Sequence, residues 1–334
     1  MKKFLIIQTA SIGDVILSTA LAEKLHAFYP DAAIDFLVKK GMEALFKGHP
    51  FINNVLIWDK KNEKYLNLYR LLMKVRHNHY DAVINVQRFI TTGLLAGLSG
   101  ASVRAGFDKN PLSFLFTHKI KHLIGQASSG IHETQRNQKL IASLTDMQAS
   151  RPVLYPEKKD FEATNIYKAN PYVCIAPASL WNTKQFPAER WIELIRKIPN
   201  GIVVYLLGSP ADAALCTEIK TASGKETVVD LSGKLSLLES GALIKDAKMN
   251  YVNDSAPMHI ASAMNAPVTA VFCSTIPGFG FGPLSDNSTI IQTELDLSCR
   301  PCGIHGYNEC PLKHFKCAQT IVINSLLNTL DERK

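Results

Sequence analysis

Short apolar segments alternate with amphipathic ones from Phe4 onward, and the same alternation begins again at Tyr172. Few folds satisfy such a pattern. In the first series, Phe4-Leu5-Ile6-Ile7, Ile34 to Val38, Val55-Leu56-Ile57 and Ala82 to Val86 read as buried strands. Val15 to Phe28 places Val15, Leu17, Leu21 and Leu25 on broadly one helical side, and Lys60 to Asn78 is a basic amphipathic stretch. In the second series the strands are Tyr172 to Ala176, Gly201 to Leu207, Val228-Val229-Asp230, Met249 to Val252 and Val268 to Phe272. Helices are expected over Pro187 to Ile198, from Ala211, and over Ser236 to Ala247. Strands alternating with helices specify an α/β fold with parallel sheets, here in two successive units. The pattern is irregular from Gln87 to Gly130, helical again from His132 to Leu144, and Arg151 to Asn170 reads as the connection.

The bulk numbers agree with a folded protein of this kind. The 334 residues are 46% hydrophobic and 20% charged, enough for a sizeable core and unlike a disordered chain. A net charge of +8 suits an anionic partner without choosing one. Lys2 and Lys3 precede an apolar run that stops at Gln8, too short for a secretory leader. No stretch approaches the roughly 20 apolar residues that cross a bilayer. A cytoplasmic protein, peripheral to a membrane at most, is the expectation. Cys174, Cys216 and Cys273 read as reduced thiols.

Three loops carry chemistry. Ser11-Ile12-Gly13-Asp14 follows the first strand, where sheets of this class place ligands. Its single glycine does not make the dinucleotide fingerprint, which argues against a dehydrogenase. Asp14 has two compatible readings, a helix cap and a general base. The loop from Ala176 to Pro187 contains Ser179, Trp181 and Lys184; the lysine offers a compact charge for a phosphate, or is an ordinary solvated lysine. Tyr251 to Pro267 reads as strand end, polar turn and helix start. Asp254 or Ser255 would cap it, Pro257 sits early in the helix, and His259 follows. Free N–H groups at such a start favour a phosphate, and plain capping explains the residues equally well.

These loops, with Ser232-Gly233-Lys234-Leu235-Ser236-Leu237 between the last two, occur in an order that resembles the bacterial lipopolysaccharide heptosyltransferases, which use ADP-heptose. The resemblance runs from near residue 3 to about 330. It implies the GT-B architecture: two Rossmann-like α/β domains with parallel sheets facing a central cleft, the acceptor domain over 1–155 and the donor domain over 171–317. Residues 318–334 would form a helix packing back on the first domain. It implies inversion at the anomeric carbon without a catalytic metal or other required cofactor. Asp14 then matches the catalytic base. Lys184 matches the lysine on the donor phosphates, Ser179 a hydroxyl of the same loop, and Asp254 the aspartate near the donor sugar. Ser255, Ala256 and His259 match the diphosphate turn, with Ala256 standing where many members have Gly. Asp212 is a looser match near the nucleoside. Ala20 replaces a proline usual in the family.

A lipopolysaccharide core acceptor carries carboxylates and phosphates. Arg88, Arg104 and Lys109, with Lys119 and Lys121, belong to the domain that would meet them, although a solvated surface accounts for any one alone. The Lys60 to Asn78 stretch is a further place for a transient anionic membrane surface. Cys299, Cys302, Cys310 and Cys317, with His305 and His314 among them, are spaced as a structural zinc site would be, or are reduced thiols in a compact loop. Two rivals stand beside the heptosyltransferase reading: a GT-B transferase for another nucleotide sugar, and a zinc- and nucleic-acid-binding non-enzyme. The last leaves the Asp14 and Asp254 loops without a purpose, so no nucleic-acid partner is expected.

Overall fold

A computed structural model describes residues 1–123 and 130–331. The chain divides into two compact units, the first from residues 1–123 and 131–155, the second from residue 156 onward. In the first unit the strands are β1 (Lys3–Ile7), β2 (Ala33–Lys39), β3 (Ile52–Trp58), β4 (Ala82–Asn85), β5 (Val103–Phe107) and β6 (His118–Ile120). Its helices are α1 (Ile12–Phe28), α2 (Lys64–His77), α3 (Ile90–Gly97) and α4 (Glu133–Gln138). The second unit has α5 (Lys158–Thr164), β7 (Tyr172–Ala176), α6 (Ala188–Lys197), β8 (Val203–Leu206), α7 (Ala213–Ser223) and β9 (Val228–Asp230). It continues with α8 (Leu237–Asp246), β10 (Asn250–Asn253), α9 (Ala256–Ala263), β11 (Val268–Phe272), β12 (Ser288–Gln292), α10 (Lys316–Gln319) and α11 (Ile323–Asp331).

Both sheets are six-stranded and parallel, in the orders β3-β2-β1-β4-β5-β6 and β12-β11-β10-β7-β8-β9. Numbered within its own unit, the second order is the first one repeated. The chain reverses direction across the sheet between β1 and β4 in one unit and between β7 and β10 in the other. At such a reversal the adjoining loops part at the carboxyl ends of the strands and leave a crevice for a ligand.

Burial explains why the central strands are uniformly apolar. Leu5, Ile6 and Ile7 of β1 and Val173 and Ile175 of β7 are fully buried, because helices cover both sheet faces. Leu68, Leu71, Leu72 and Val75 of α2 pack with Leu5, Ile7 and Val83. Trp191, Leu194 and Ile195 of α6 pack with Val173, Val204 and Val271. The strands β5, β6 and β12 fall where the sequence shows no strand pattern. β6 is short and partly exposed, and β12 alternates between exposed and half-buried positions at the sheet edge. The helical spacing from His132 to Leu144 yields a helix only as far as Gln138.

The helix expected over residues 318–334 is present as α11, within the second unit. Among the described residues, α11 lies against α6, and Leu326 and Leu330 join the core of the second unit. Tyr251 Oη donates to the Leu326 carbonyl at 3.2 Å, and Thr269 to Thr329 at 2.8 Å.

Tyr155, the last residue of the first unit, is tied to α1 by donating to both oxygens of Glu23 at 3.1 Å. Burial pushes the Glu23 carboxyl up from 4.5 to about 7, against the Tyr155 hydrogen bond that pulls it down. The folded pKa lies above the unfolded one, so this contribution to stability is complete below about 4.5 and is lost as pH rises through about 7. Glu23→Gln is therefore expected to gain stability relative to the parent between pH 5 and pH 8, read as diverging urea midpoints. Parallel midpoints across that range would contradict the assignment.

Candidate active site

In the first unit, Ser11 caps α1 and Asp14 answers it. Asp14 Oδ2 accepts from the Ser11 backbone N–H at 3.1 Å and from Ser11 Oγ at 2.6 Å, a reciprocal capping box. Among the described residues Oδ1 has no protein donor. One carboxylate thus presents a fixed oxygen to the helix and a second oxygen that remains open, and its side chain is only half-buried. This arrangement makes the cap and is compatible with the base reading.

Asp14 follows the carboxyl end of β1, Arg88 that of β4, and Lys109 that of β5; these are three adjacent strands. Arg88 and Lys109 are exposed. Behind them lies a buried ion pair, Arg136 to Glu133 at 2.7 Å. Burial raises the Glu133 carboxyl, Arg136 lowers it, and the charge of Asp14 raises it further. His122, stacked on Phe107 with ring centroids 3.9 Å apart, is pushed down to about 4 by burial and by the charges of Arg88 and Arg136. Burial is the larger cause, and the neighbouring arginines act in the same direction. Lys60, which the sequence offers only as part of an amphipathic stretch, also reaches this end. Its Nζ donates to the Thr9 carbonyl at 2.8 Å beside the β1 turn.

Arg104 does not join the group. It sits near the amino end of β5, where its guanidinium donates to the Leu115 and Ala101 carbonyls at 3.0 and 2.6 Å. Arg104 is thus not brought together with Arg88 and Lys109, and two of its guanidinium nitrogens are bonded to the backbone.

In the second unit the reversal point is built by Asn253, the last residue of β10. Its Oδ1 accepts from the Phe186 N–H at 2.9 Å, and its Nδ2 donates to the Pro177 carbonyl at 2.7 Å. One buried side chain therefore pins both ends of the loop between β7 and α6. That loop carries Lys184, whose Nζ meets Asp254 Oδ2 at 2.7 Å. The two side chains are only 16% and 7% exposed, so their attraction is little screened. Thr275, after β11, donates to the same Oδ2 at 2.7 Å. An ammonium has three protons, and one contact with Asp254 leaves others for a phosphate.

Asp254 and Ser255 do not cap α9, contrary to expectation. The Asp254 carboxylate is taken by Lys184 and Thr275, and Ser255 Oγ donates back to the Asn253 carbonyl at 3.3 Å. Among the described residues no side chain accepts from the first turn of α9, which starts with Ala256 and Pro257. Pro257 has no N–H and the Met258 N–H donates to the Ser255 carbonyl at 3.1 Å, so the Ala256 N–H is the first-turn donor left for a ligand. His259 is buried in the same helix, and Ser179 is half-buried, its N–H donating to Gln185 at 3.2 Å. Asp212 accepts from the Ser209 N–H and hydroxyl, both at 2.7 Å, so it serves first as a helix cap.

The four clustered cysteines are free thiols. Among the described residues no group of three or more His, Cys, Asp or Glu is arranged to hold a metal ion. Cys317 is buried on α10, Cys302 Sγ donates to the Cys299 carbonyl at 3.4 Å, and Cys299 Sγ stands 4.0 Å from His314 Nε2. No helix among the described residues is long and apolar enough to cross a membrane.

Known proteins share this arrangement. Residues 68–311 match the family described as glycosyltransferase family 9 (heptosyltransferase). Lipopolysaccharide heptosyltransferase 3 of Escherichia coli is 28% identical over 279 residues, 79% of this chain and 81% of its own. Lipopolysaccharide heptosyltransferase 2 of Escherichia coli K12 is 25% identical over 320 residues, 87% of this chain and 88% of its own. Among solved structures, the ADP-heptose heptosyltransferase II of E. coli aligns with a TM-score of 0.76 at 22% identity, covering 99% of this chain and 98% of that one. The glycosyl transferase family 9 protein of Veillonella parvula aligns with a TM-score of 0.83 at 20% identity, again covering 99% and 98%. Those two structures establish the GT-B fold, and the sequence match running through most of the chain establishes the rest: this protein belongs to glycosyltransferase family 9, the heptosyltransferases.

Proposed function

We propose that the protein transfers a heptose from ADP-heptose to an acceptor of the lipopolysaccharide inner core, with inversion and without a catalytic metal. The observation that carries this reading is the Lys184–Asp254 pair beside the open first turn of α9. Negative charge grows on a departing diphosphate, and fixed positive groups stabilise that charge without reorganising. Lys184, the Ala256 N–H and the positive end of α9 supply the charge a divalent cation supplies elsewhere. Asp14 Oδ1 takes the proton of the acceptor hydroxyl as that oxygen attacks the anomeric carbon. Asp254 favours the oxocarbenium character of the sugar. Arg88 and Lys109 meet acidic groups of the acceptor. The donor is taken from relatives: an E. coli heptosyltransferase of this fold is known with ADP-2-deoxy-2-fluoro heptose. On α2 the exposed Tyr65, Tyr69 and Met73 alternate with Lys64, Arg70 and Lys74, a face suited to transient rest on an anionic lipid surface.

The test is incubation with ADP-heptose and heptose-deficient lipopolysaccharide. Release of ADP and a gain of one heptose by the acceptor, both persisting in EDTA, are the expected results. Transfer from UDP-sugars and none from ADP-heptose would overturn the donor; loss in EDTA would overturn metal independence.

A further inference from the structure

The loop between β12 and α10, which holds Cys299, Cys302 and Cys310, contacts the chain neighbours and partners of both members of the lysine–aspartate pair. On the lysine side, the Tyr307 N–H donates to Thr183 Oγ1 at 2.7 Å, and the Thr183 N–H donates to the Tyr307 carbonyl at 3.0 Å. Ser274 Oγ donates to the same Thr183 hydroxyl at 3.0 Å. Thr183 is buried and directly precedes Lys184. Gly306 closes the contact from above. It has φ +76°, and a Cβ there would lie 2.8 Å from Thr183 Oγ1, 3.1 Å from Lys184 Cγ and 3.1 Å from Ser274 Oγ. Only a residue without a side chain fits, on backbone and on space alike.

On the aspartate side, Arg300 spends its guanidinium on the end of β11. It donates to the Cys273 carbonyl at 2.8 Å, to Thr275 at 2.7 Å and to Phe272 at 3.2 Å, and Gln292 accepts from it at 2.8 Å. The Cys302 N–H adds a bond to the Ser274 carbonyl at 2.8 Å. Thr275 is the residue whose hydroxyl holds Asp254 Oδ2. One loop thus fixes Thr183 and Thr275, the neighbour of the ammonium and the partner of the carboxylate.

We propose that this loop is a positioning element of the donor site and that Thr183 is a positioning residue that acts through Lys184. The buried Thr183 hydroxyl accepts from two directions at once, so the backbone that launches the lysine has one arrangement available. A lysine side chain is long and readily reoriented, and its value to a diphosphate depends on being held before the donor arrives. The cysteine loop's role is thereby mechanical: its backbone and Arg300 carry the contacts. The inference rests on the reading that Lys184 meets the donor phosphates.

A double-mutant cycle on ADP affinity, measured by calorimetry on the full chain, tests it. Thr183→Val keeps the volume and removes the hydroxyl; Thr183→Ser keeps the hydroxyl. The Val variant is expected to weaken ADP about tenfold, the size of coupling usual between contacting residues. The Ser variant is expected to retain ADP affinity. In a Lys184→Gln background, where the amide still reaches toward Asp254, Thr183→Val is expected to add nothing. A merely structural threonine would cost stability equally in both backgrounds and leave ADP affinity alone. Unchanged affinity in Thr183→Val, or an equal loss with and without the lysine, overturns the proposal. Should Thr183→Val not fold, Ser274→Ala removes one donor to the same hydroxyl and is read in the same cycle. Lys184→Gln alone separates the two levels: unchanged ADP affinity there would refute the phosphate role of Lys184 itself. Weakened affinity there, with Thr183→Val silent, would refute only the positioning role.

Discussion

Asp14→Asn is expected to lower kcat by about 10²–10⁴-fold while ADP affinity is unchanged, because general-base assistance contributes on that scale and the donor is held by the other unit. The substitution is chosen for what it preserves. Asparagine keeps the side-chain oxygen and the shape that answer Ser11 at the start of α1, so the capping box is weakened rather than removed. The cost to folding is about 1 kcal/mol or less, read as a small fall in the thermal midpoint. A capping residue with no part in the chemistry would give the converse: a shifted midpoint and full turnover. Full activity in Asp14→Asn excludes the base assignment.

Lys184→Ala should show two separable losses. Removing the ammonium leaves Asp254 buried without its counter-charge, and breaking a buried pair from one side costs about 3–5 kcal/mol. It also removes a donor to the diphosphate, worth about 10²–10³ in kcat for a preorganised group of this kind. The double variant Lys184→Ala/Asp254→Ala removes the unpaired charge, so much of the stability should return in urea unfolding. Transfer should not return. Recovery of both together would mean that the pair is only a structural tie, and recovery of neither would mean that the two residues act apart.

Much of this was legible in the sequence because the central strands are buried on both faces. Such strands read as continuous apolar runs, and their loops fall where function is expected. Asp14, Lys184 and Asp254 were each found by that logic, one per loop at a point where the strand order reverses. The edges were not legible. β6 and β12 are held by pairing with a neighbour rather than by an apolar pattern of their own, so Lys119 and Ser288 to Gln292 resemble loop. The partners of the site residues were hidden for a related reason. Asn253 pins a loop 67 residues away, and Tyr307 reaches Thr183 across 124, spacings that no local pattern encodes. Arg104 shows the limit of reading charge alone. Its residue type fits an acidic acceptor, and only the strand direction reveals that it lies at the wrong end. The backbone contacts of the cysteine-containing loop, Tyr307 to Thr183 above all, have no counterpart in the cysteine spacing.

A crystal structure with ADP bound tests the central claim most directly. The account predicts the diphosphate within about 3 Å of Lys184 Nζ and of the Ala256 N–H at the start of α9, the distance of a charge-assisted hydrogen bond. Phosphates seated on another element, with Lys184 still committed to Asp254 alone, would contradict it.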